Sequence, residues 1–288
     1  MKTKTIMYGF AIAAIAFATI FSSCKKDKKN EPEEKDTDTS AASDQAFAST
    51  AVNDMTSISD EAGTSYTVSS FKMASTDGLL AGGCATVTID SVSGPTRTLT
   101  VNFGTTNCSC IDGRNRRGSL VITFTGHYRD SGMVKTVTPV NYFVDDYQIT
   151  GTKSITNKGH NAANHLVYEV SANLQIIKPN GGGTITWNST RQREWTTGES
   201  TPFNWSDDKY SITGSASGTN AGGTTFTSVI TTPLVRNMAL GCRRHFVSGI
   251  IDHTPAGKPT RTLNYGNGVC DDLATVTING ITYNIVLH

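Results

Sequence analysis

A single cysteine at the end of an apolar run has the most specific chemistry in this chain. The run extends from Tyr8 to Phe21 behind a basic start, and small residues lead from it to Cys24. It is too short to span a bilayer as a mature helix. This pattern is typical of a bacterial lipoprotein signal peptide, although an ordinary secretory signal with an incidental cysteine would look similar. We predict a signal peptide over residues 1–23, acylation of Cys24 and attachment of the chain to a membrane.

Three pairs of adjacent aspartates are the next candidates for chemistry. They are Asp145-Asp146, Asp207-Asp208 and Asp271-Asp272. Neighbouring carboxylates can bind calcium or act as an acid/base pair in glycoside hydrolysis. Each pair also lies beside a turn-like segment, where Asp commonly hydrogen-bonds its own backbone. We favour the turn interpretation and predict no metal site.

A row of aromatic and basic residues is compatible with packing in the core or with a ligand-binding face. If residues 183–195 form a straight strand, then one face carries Trp187, Arg191, Arg193 and Trp195. Arginines can stack on indole rings, and exposed aromatic rows bind the planes of sugars. The alternative is Arg packed over core tryptophans, since Trp is mostly buried in folded proteins.

The remaining residue types do not form a recognised catalytic motif. The six histidines have no metal-binding spacing, and there is no nucleophile elbow, phosphate loop or dinucleotide fingerprint. We therefore predict that the protein is not an enzyme and needs no cofactor. The formal net charge of +1 gives no reason to expect a nucleic-acid partner.

Alternating sequences predict that antiparallel strands position these residues. Residues 118–128 alternate between apolar and polar side chains, which is typical of a strand with one buried face. Near the C-terminus, Asn279-Gly280 predicts a type I′ turn that pairs Ile278 with Ile281 and Val276 with Tyr283. The fold class is therefore all-β, with repeated antiparallel strands in an extended sheet or a β-sandwich.

One helix and one tether precede the predicted strands. Residues 24–42 are too polar to fold, so we predict a flexible tether after the lipidated cysteine. Apolar residues then recur at helical spacing from Phe47 to Ala62, which predicts an amphipathic helix over residues 43–63 with Ser43 as its N-cap. We expect this helix to lie across one sheet or an open end of the β body, which spans residues 64–288.

Two internal repeats indicate duplication and suggest how the cysteines pair. The segment 95–99, Pro-Thr-Arg-Thr-Leu, recurs at 259–263, and Asp-Asp followed by Ile-Thr-Gly occurs at 145–151 and 207–214. Each copy of the first repeat contains an early and a late cysteine. In an exported protein this predicts disulfides from Cys84 to Cys108 and from Cys242 to Cys270. A one-residue bulge would make Cys110 the bonded cysteine instead of Cys108.

Several motifs together resemble a family of lipoproteins from the Bacteroidota. The motifs are Asp112–Gly118, Gly151-Thr152-Lys153 with Thr156-Asn157, Gly183–Arg191, Trp205–Asp208 and Tyr265–Gly268 with Cys270-Asp271. A basic and then acidic stretch after Cys24 is also similar to the export tags of some surface lipoproteins of that phylum, although a plain spacer explains it equally well. The resemblance implies an exported, lipid-anchored β protein and transfers no binding residue.

The leading hypothesis is a non-catalytic lipoprotein, anchored in the outer membrane through its N-terminal lipid. It would act as a binding or structural module on the cell surface or the periplasmic face, with a glycan or an envelope protein as partner. The first alternative is a carbohydrate-binding accessory lipoprotein, and the second is a hydrolase of unrecognised type.

Overall fold

A computed structural model describes residues 36–67, 78–89, 96–126, 129–201 and 204–288. The signal peptide, Cys24 and most of the predicted tether lie outside the described residues. His127 and Tyr128 of the predicted strand also lie outside them.

Fourteen antiparallel strands form a single sheet in which almost every strand pairs with its neighbours in the chain. The exception is β3, which pairs only with β4, so that β2 and β4 are adjacent. The strands are β1 (Thr86–Ile89), β2 (Arg97–Asn102), β3 (Cys108–Ser109), β4 (Asn115–Phe124), β5 (Val134–Val144), β6 (Tyr147–His160), β7 (Leu166–Ile177), β8 (Thr184–Thr197), β9 (Lys209–Thr219), β10 (Thr225–Asn237), β11 (Phe246–Pro255), β12 (Arg261–Asn267), β13 (Leu273–Ile278) and β14 (Ile281–Val286). The all-β prediction is confirmed, and the strands form one continuous sheet.

The C-terminal hairpin has the predicted register. Ile278 faces Ile281 and Val276 faces Tyr283 across the β13–β14 pair. Asn279 and Gly280 both have positive φ, as a type I′ turn requires. The turn chemistry and the alternation of side chains therefore specify the same pairing.

The sheet curls around one helix, α1 (Ser40–Thr67). From Ala41 to Thr64 every residue except Ser43 is buried, so the helix has no solvent-facing side. Its side chains contact strands on opposite sides of the interior, for example Arg116 of β4 and Arg236 of β10. The prediction that this helix lies across one sheet or an open end is wrong, because the sheet encloses it.

The ends of the helix also differ from the prediction. It begins three residues earlier and ends four residues later than the range 43–63. Ser43 lies inside the first turn, where its hydroxyl donates to the carbonyl oxygen of Thr39, so it is not the N-cap. The Asp38 carboxylate instead accepts from the backbone N–H of Ser40. None of the helices in the described ranges combines the length and apolar character needed to cross a bilayer.

Two disulfides occupy equivalent positions in the repeat. Cys84 is bonded to Cys108, and Cys242 is bonded to Cys270. Each bridge joins a residue just before a hairpin to a residue beyond its second strand. Cys110 stays a buried thiol, with its Sγ 2.7 Å from the Sγ of Cys84. This arrangement agrees with the predicted pairing of Cys84 with Cys108, in which the repeats align without a one-residue bulge.

We expect the Cys242→Ser/Cys270→Ser double variant to unfold about 3 kcal/mol more easily than the wild type. The bridge closes a loop with a sequence separation of 28, and its loss restores freedom to the unfolded chain. Chemical denaturation of oxidised protein measures the difference. Equal midpoints for the variant and the wild type would contradict a stabilising bridge here.

The second repeat places a glycine where two strands approach closely. Gly151 and Gly214 end the two copies of Ile-Thr-Gly, and both have positive φ. A Cβ at either position would clash with the backbone oxygen of the neighbouring strand, Asn173 in one copy and Thr190 in the other. The repeated motif therefore marks the same backbone geometry in both copies.

Candidate functional site

The predicted ligand-binding row forms part of the protein interior. Trp187, Arg191, Arg193 and Trp195 do share one face of β8, but that face points toward the helix, and each of them is at most 4% exposed. The prediction of an exposed ligand-binding face is therefore wrong. The alternative packing holds, because the Arg191 guanidinium lies 5.4 Å from the Trp187 ring centroid.

Inward-pointing cations hold the helix through its carboxylates. The Asp54 carboxylate accepts from Arg236 at 2.6 Å and from Arg116 at 3.1 Å, and it lies 3.3 Å from the Nε of Arg114. One turn and a half further along the helix, Asp60 binds Lys135 and Arg193. These ion pairs are buried on both sides, so they couple the helix to β4, β5, β8 and β10.

Charge pairing determines the protonation state of Asp60. Burial by itself would raise the pKa of this carboxyl group, but Lys135 and Arg193 outweigh burial and lower it to about 2. Asp60 is therefore ionised at neutral pH. The ionised form is the one that binds both strands to the helix.

A cleft of about 410 Å³ lies at one end of the sheet and is the best candidate for a ligand-binding site. The β6–β7 connection contributes His160, Asn164 and His165, and the end of β8 with its following loop contributes Trp195 and Glu199. The cleft is open to solvent, and its side chains offer hydrogen-bond donors and acceptors.

Two histidine–carboxylate pairs organise this cleft. His160 Nε2 lies 2.7 Å from Glu199 Oε1, and His165 Nδ1 lies 2.7 Å from Glu194 Oε1. Hydrogen bonds from His165 and Asn161 lower the pKa of Glu194. Each histidine keeps one ring nitrogen outside its pair, so the cleft can bind a polar ligand through imidazole and carboxylate groups.

Behind the cleft, the buried carboxyl group of Asp208 positions Trp195, the tryptophan in the cleft lining. Trp195 Nε1 donates to Asp208 Oδ1 at 3.1 Å, and the Tyr210 hydroxyl donates to Asp208 Oδ2 at 3.0 Å. Burial raises the pKa of Asp208 to about 7, although both hydrogen bonds and Arg193 act in the opposite direction. Trp195 is the one member of the predicted row that lines the cleft.

The raised pKa of Asp208 predicts a pH-dependent contribution to stability. The native state binds a proton that the unfolded chain releases near pH 4, so this contribution is present below about pH 4 and is lost as the pH rises through 7. The free energy of unfolding of the wild type, relative to Asp208→Asn, should fall by up to about 1.4 kcal/mol per pH unit across this window. Denaturation at several pH values measures it, and parallel pH profiles would contradict it.

The aspartate pairs serve the structure in different ways. Asp145 binds the Arg114 guanidinium at 2.7 Å, Asp146 binds Arg117, and Asp271 accepts from the backbone of Leu273 at 3.1 Å. In the part of the chain that the structure describes, no group of three or more His, Cys, Asp or Glu side chains is placed to hold a metal ion. Of these contacts only that of Asp271 lies within its own turn, whereas Asp145 and Asp146 occupy turn positions with positive φ but bind arginines.

Two further concave regions lie elsewhere on the sheet. One, of about 550 Å³, runs over β8–β10 and is lined by small polar residues such as Asn188, Thr190 and Ser217. The other, of about 460 Å³, lies over β12–β14 beside the exposed side chains of Val269 and Leu273. Neither groups ionisable side chains as the histidine cleft does.

Sequence reasoning missed the pairing in the cleft. The spacing of His160 and His165 matches no metal-binding motif. The segment Asn161-Ala162-Ala163-Asn164 between two alternating stretches is, however, a hairpin signal that brings both histidines to one end of the sheet. The partners Glu194 and Glu199 come from the next strand pair, and no local pattern indicates them.

Comparison of the chain with protein-family models, with curated proteins and with solved structures gives no match. The cleft and the enclosed helix are therefore interpreted from their own chemistry.

Proposed function

We propose that this chain is a lipid-anchored, non-catalytic module of the outer membrane that carries the histidine cleft at the end of the sheet opposite Asp36. The observation that carries the proposal is the position of the helix N-terminus relative to the cleft. Asp44, in the first turns of the helix, binds Lys178 at 2.6 Å and the backbone N–H of Ala221 at 3.3 Å. Those partners lie in the β7–β8 and β9–β10 turns.

The cleft belongs to the opposite end of the same strands. It is built from the β6–β7 and β8–β9 connections, and turns alternate between the two ends of an antiparallel meander. Strand β7 has 12 residues and strand β8 has 14, which at about 3.3 Å per residue separates the two ends by roughly 40 Å. A chain anchored through Cys24 would thus carry its cleft on the side remote from Asp36.

The contacts near the start of the helix connect this part of the chain firmly to the sheet. The Asp36 carboxylate binds the buried Arg261 of β12 at 2.6 Å, and the Asp44 carboxylate binds Lys178. Ion pairs of Asp54 and Asp60 follow along the enclosed helix. A pull applied to residues before Asp36 would therefore act on the core of the protein.

Protease shaving tests the anchor and the side of the membrane. We expect the wild type to fractionate with the outer membrane and Cys24→Ala to lose lipid labelling and membrane retention. Degradation by protease in intact cells would place the module on the surface, whereas protection until permeabilisation would place it on the periplasmic face. Unchanged lipid labelling and membrane retention in Cys24→Ala would contradict the proposed anchor.

The second candidate function is glycan binding by an accessory lipoprotein. The cleft favours it, because imidazole, carboxylate and amide side chains line one concavity together with Trp195. His160→Ala and Asn164→Ala should weaken glycan binding while keeping the melting temperature, and Lys158→Ala on the outer face of β6 is the matched control. No binding by the wild type to a broad glycan array would contradict the glycan, and turnover of a glycan would favour the hydrolase alternative.

A further inference from the structure

The interior contains more cations than carboxylates. Among the described residues, nine Lys and Arg side chains are buried against six buried Asp and Glu side chains. The cations are Arg114, Arg116, Lys135, Lys153, Arg191, Arg193, Arg236, Arg243 and Arg261, and the acids are Asp44, Asp54, Asp60, Glu61, Asp112 and Asp208. Two further carboxylates, of the partly buried Asp36 and Asp145, bind Arg261 and Arg114. A buried charge without any counter-charge is strongly unfavourable, so the cations that lack a carboxylate partner need a physical explanation.

Lys153 and Arg191 are two such cations. Lys153 donates to the backbone oxygen of Val52 and the hydroxyl of Thr56, and Arg191 Nη2 donates to Ser49 Oγ at 2.9 Å. Within the described ranges, no carboxylate oxygen lies within 4.0 Å of either cation. Both therefore contact only neutral groups on the same side of the helix.

Three buried hydrogen-bond donors, on Arg191, on the helix and on β12, have no partner among the described residues. They are the Nε of Arg191 itself, the Nδ2 of Asn53 and the hydroxyl of Tyr265, and all three atoms are buried. Asn53 follows Ser49 by one helical turn, so it lies on the helix face that Arg191 contacts. Tyr265 lies close enough to Arg191 for an electrostatic interaction between the two side chains.

A single bound anion would meet the needs of both the unpartnered donors and the uncompensated charge. A water molecule would satisfy the donors and leave the guanidinium without a counter-charge, whereas an anion would satisfy both. Burial lowers the pKa of Arg191 to about 10, which still leaves it charged at neutral pH. Ala172, Ser189 and Ala216 are small residues that face one another on β7, β8 and β9, and Ser189 lies two residues before Arg191 on the same face of β8.

We propose that the interior binds one small monovalent anion of the halide class, held by Arg191 Nε, the Tyr265 hydroxyl and the Asn53 amide. This ion neutralises the buried guanidinium between β8, β12 and the helix. It binds the folded state only, because the unfolded chain does not bring these three groups together. The site is independent of the cleft and of the membrane anchor.

Anion-dependent stability tests the proposal. The melting temperature of the wild type should rise progressively with sodium bromide or chloride relative to sodium gluconate at equal ionic strength. Tyr265→Phe should bind bromide about tenfold more weakly, since one of three donors is lost, and Arg191→Met should abolish the difference between bromide and gluconate. Lys158→Met, an exposed cation of β6, is the control and should keep it.

A crystal grown in bromide gives a test that needs no variant. The proposal predicts an anomalous bromide peak within hydrogen-bond distance of Arg191 Nε. A water molecule at this position, together with equal melting temperatures in bromide and gluconate, would overturn it. The same conclusion would follow if bromide stabilised Arg191→Met as much as the wild type.

Discussion

Replacing Asp54 with asparagine is expected to lower the free energy of unfolding by about 3–5 kcal/mol. The Asp54 carboxylate lies within 3.3 Å of guanidinium groups from Arg114, Arg116 and Arg236, and all four side chains are buried. The amide keeps the size of the side chain and removes its charge. Equilibrium denaturation of the variant and the wild type gives the difference.

Glu169→Gln is the matched control for Asp54. Glu169 and Lys158 form an exposed pair, 3.9 Å apart, on the outer face of β6 and β7. Solvent screens such a pair, so the same carboxylate-to-amide change should alter stability by less than about 1 kcal/mol. Similar effects of the two substitutions would show that Asp54 does not neutralise buried cations.

Truncation of Trp187 to alanine is expected to destabilise the fold by about 3–5 kcal/mol. The indole is completely buried, its ring centroid lies 5.9 Å from that of Phe226, and Arg191 packs over it. Removing the ring leaves a cavity between the sheet and the helix. The melting temperature and the denaturation midpoint should both fall.

Asn188→Ala is the control for Trp187→Ala, because it shortens a side chain of the same strand that does not pack in the core. Asn188 is the next residue in the strand, and its side chain is exposed on the outer face. We expect the free energy of unfolding of Asn188→Ala to stay within about 0.5 kcal/mol of the wild-type value. If Trp187→Ala kept the wild-type melting temperature, the packing role of the indole would be contradicted.

The strands and their pairing could be predicted because they depend on local signals. Alternation in residues 118–124 and the Asn279-Gly280 turn specify which side chains face inward and how neighbouring strands pair. The repeats predicted both disulfides for a similar reason, since each lies within one copy. These features need no information about distant parts of the chain.

The location of the helix could not be predicted from its own pattern. Apolar residues from Phe47 to Ala62 indicate one buried side, and the polar residues Asp54 and Asp60 indicate a solvated one. Their partners, Arg116, Arg193 and others, come from strands far away in the sequence, and each cation alone resembles a surface residue. Only the curled sheet brings these opposite charges together.

The same ambiguity explains the failure of the proposed ligand face on β8. Alternation correctly placed Trp187 and Arg191 on one face, but it does not distinguish a face toward solvent from a face toward a polar core. Arg and Trp side by side are compatible with both. The histidine cleft, in contrast, depends on the meeting of two hairpin ends, which a single strand pattern cannot show.

Native-state hydrogen exchange of the helix tests most directly the central claim, that this helix is the enclosed core of the sheet. The amides of residues 44–64 should exchange as slowly as those in the middle of β7 and β8, through global unfolding alone. Much faster exchange in the helix than in these strands would contradict the claim, because a helix that opens independently is not the enclosed core of the fold.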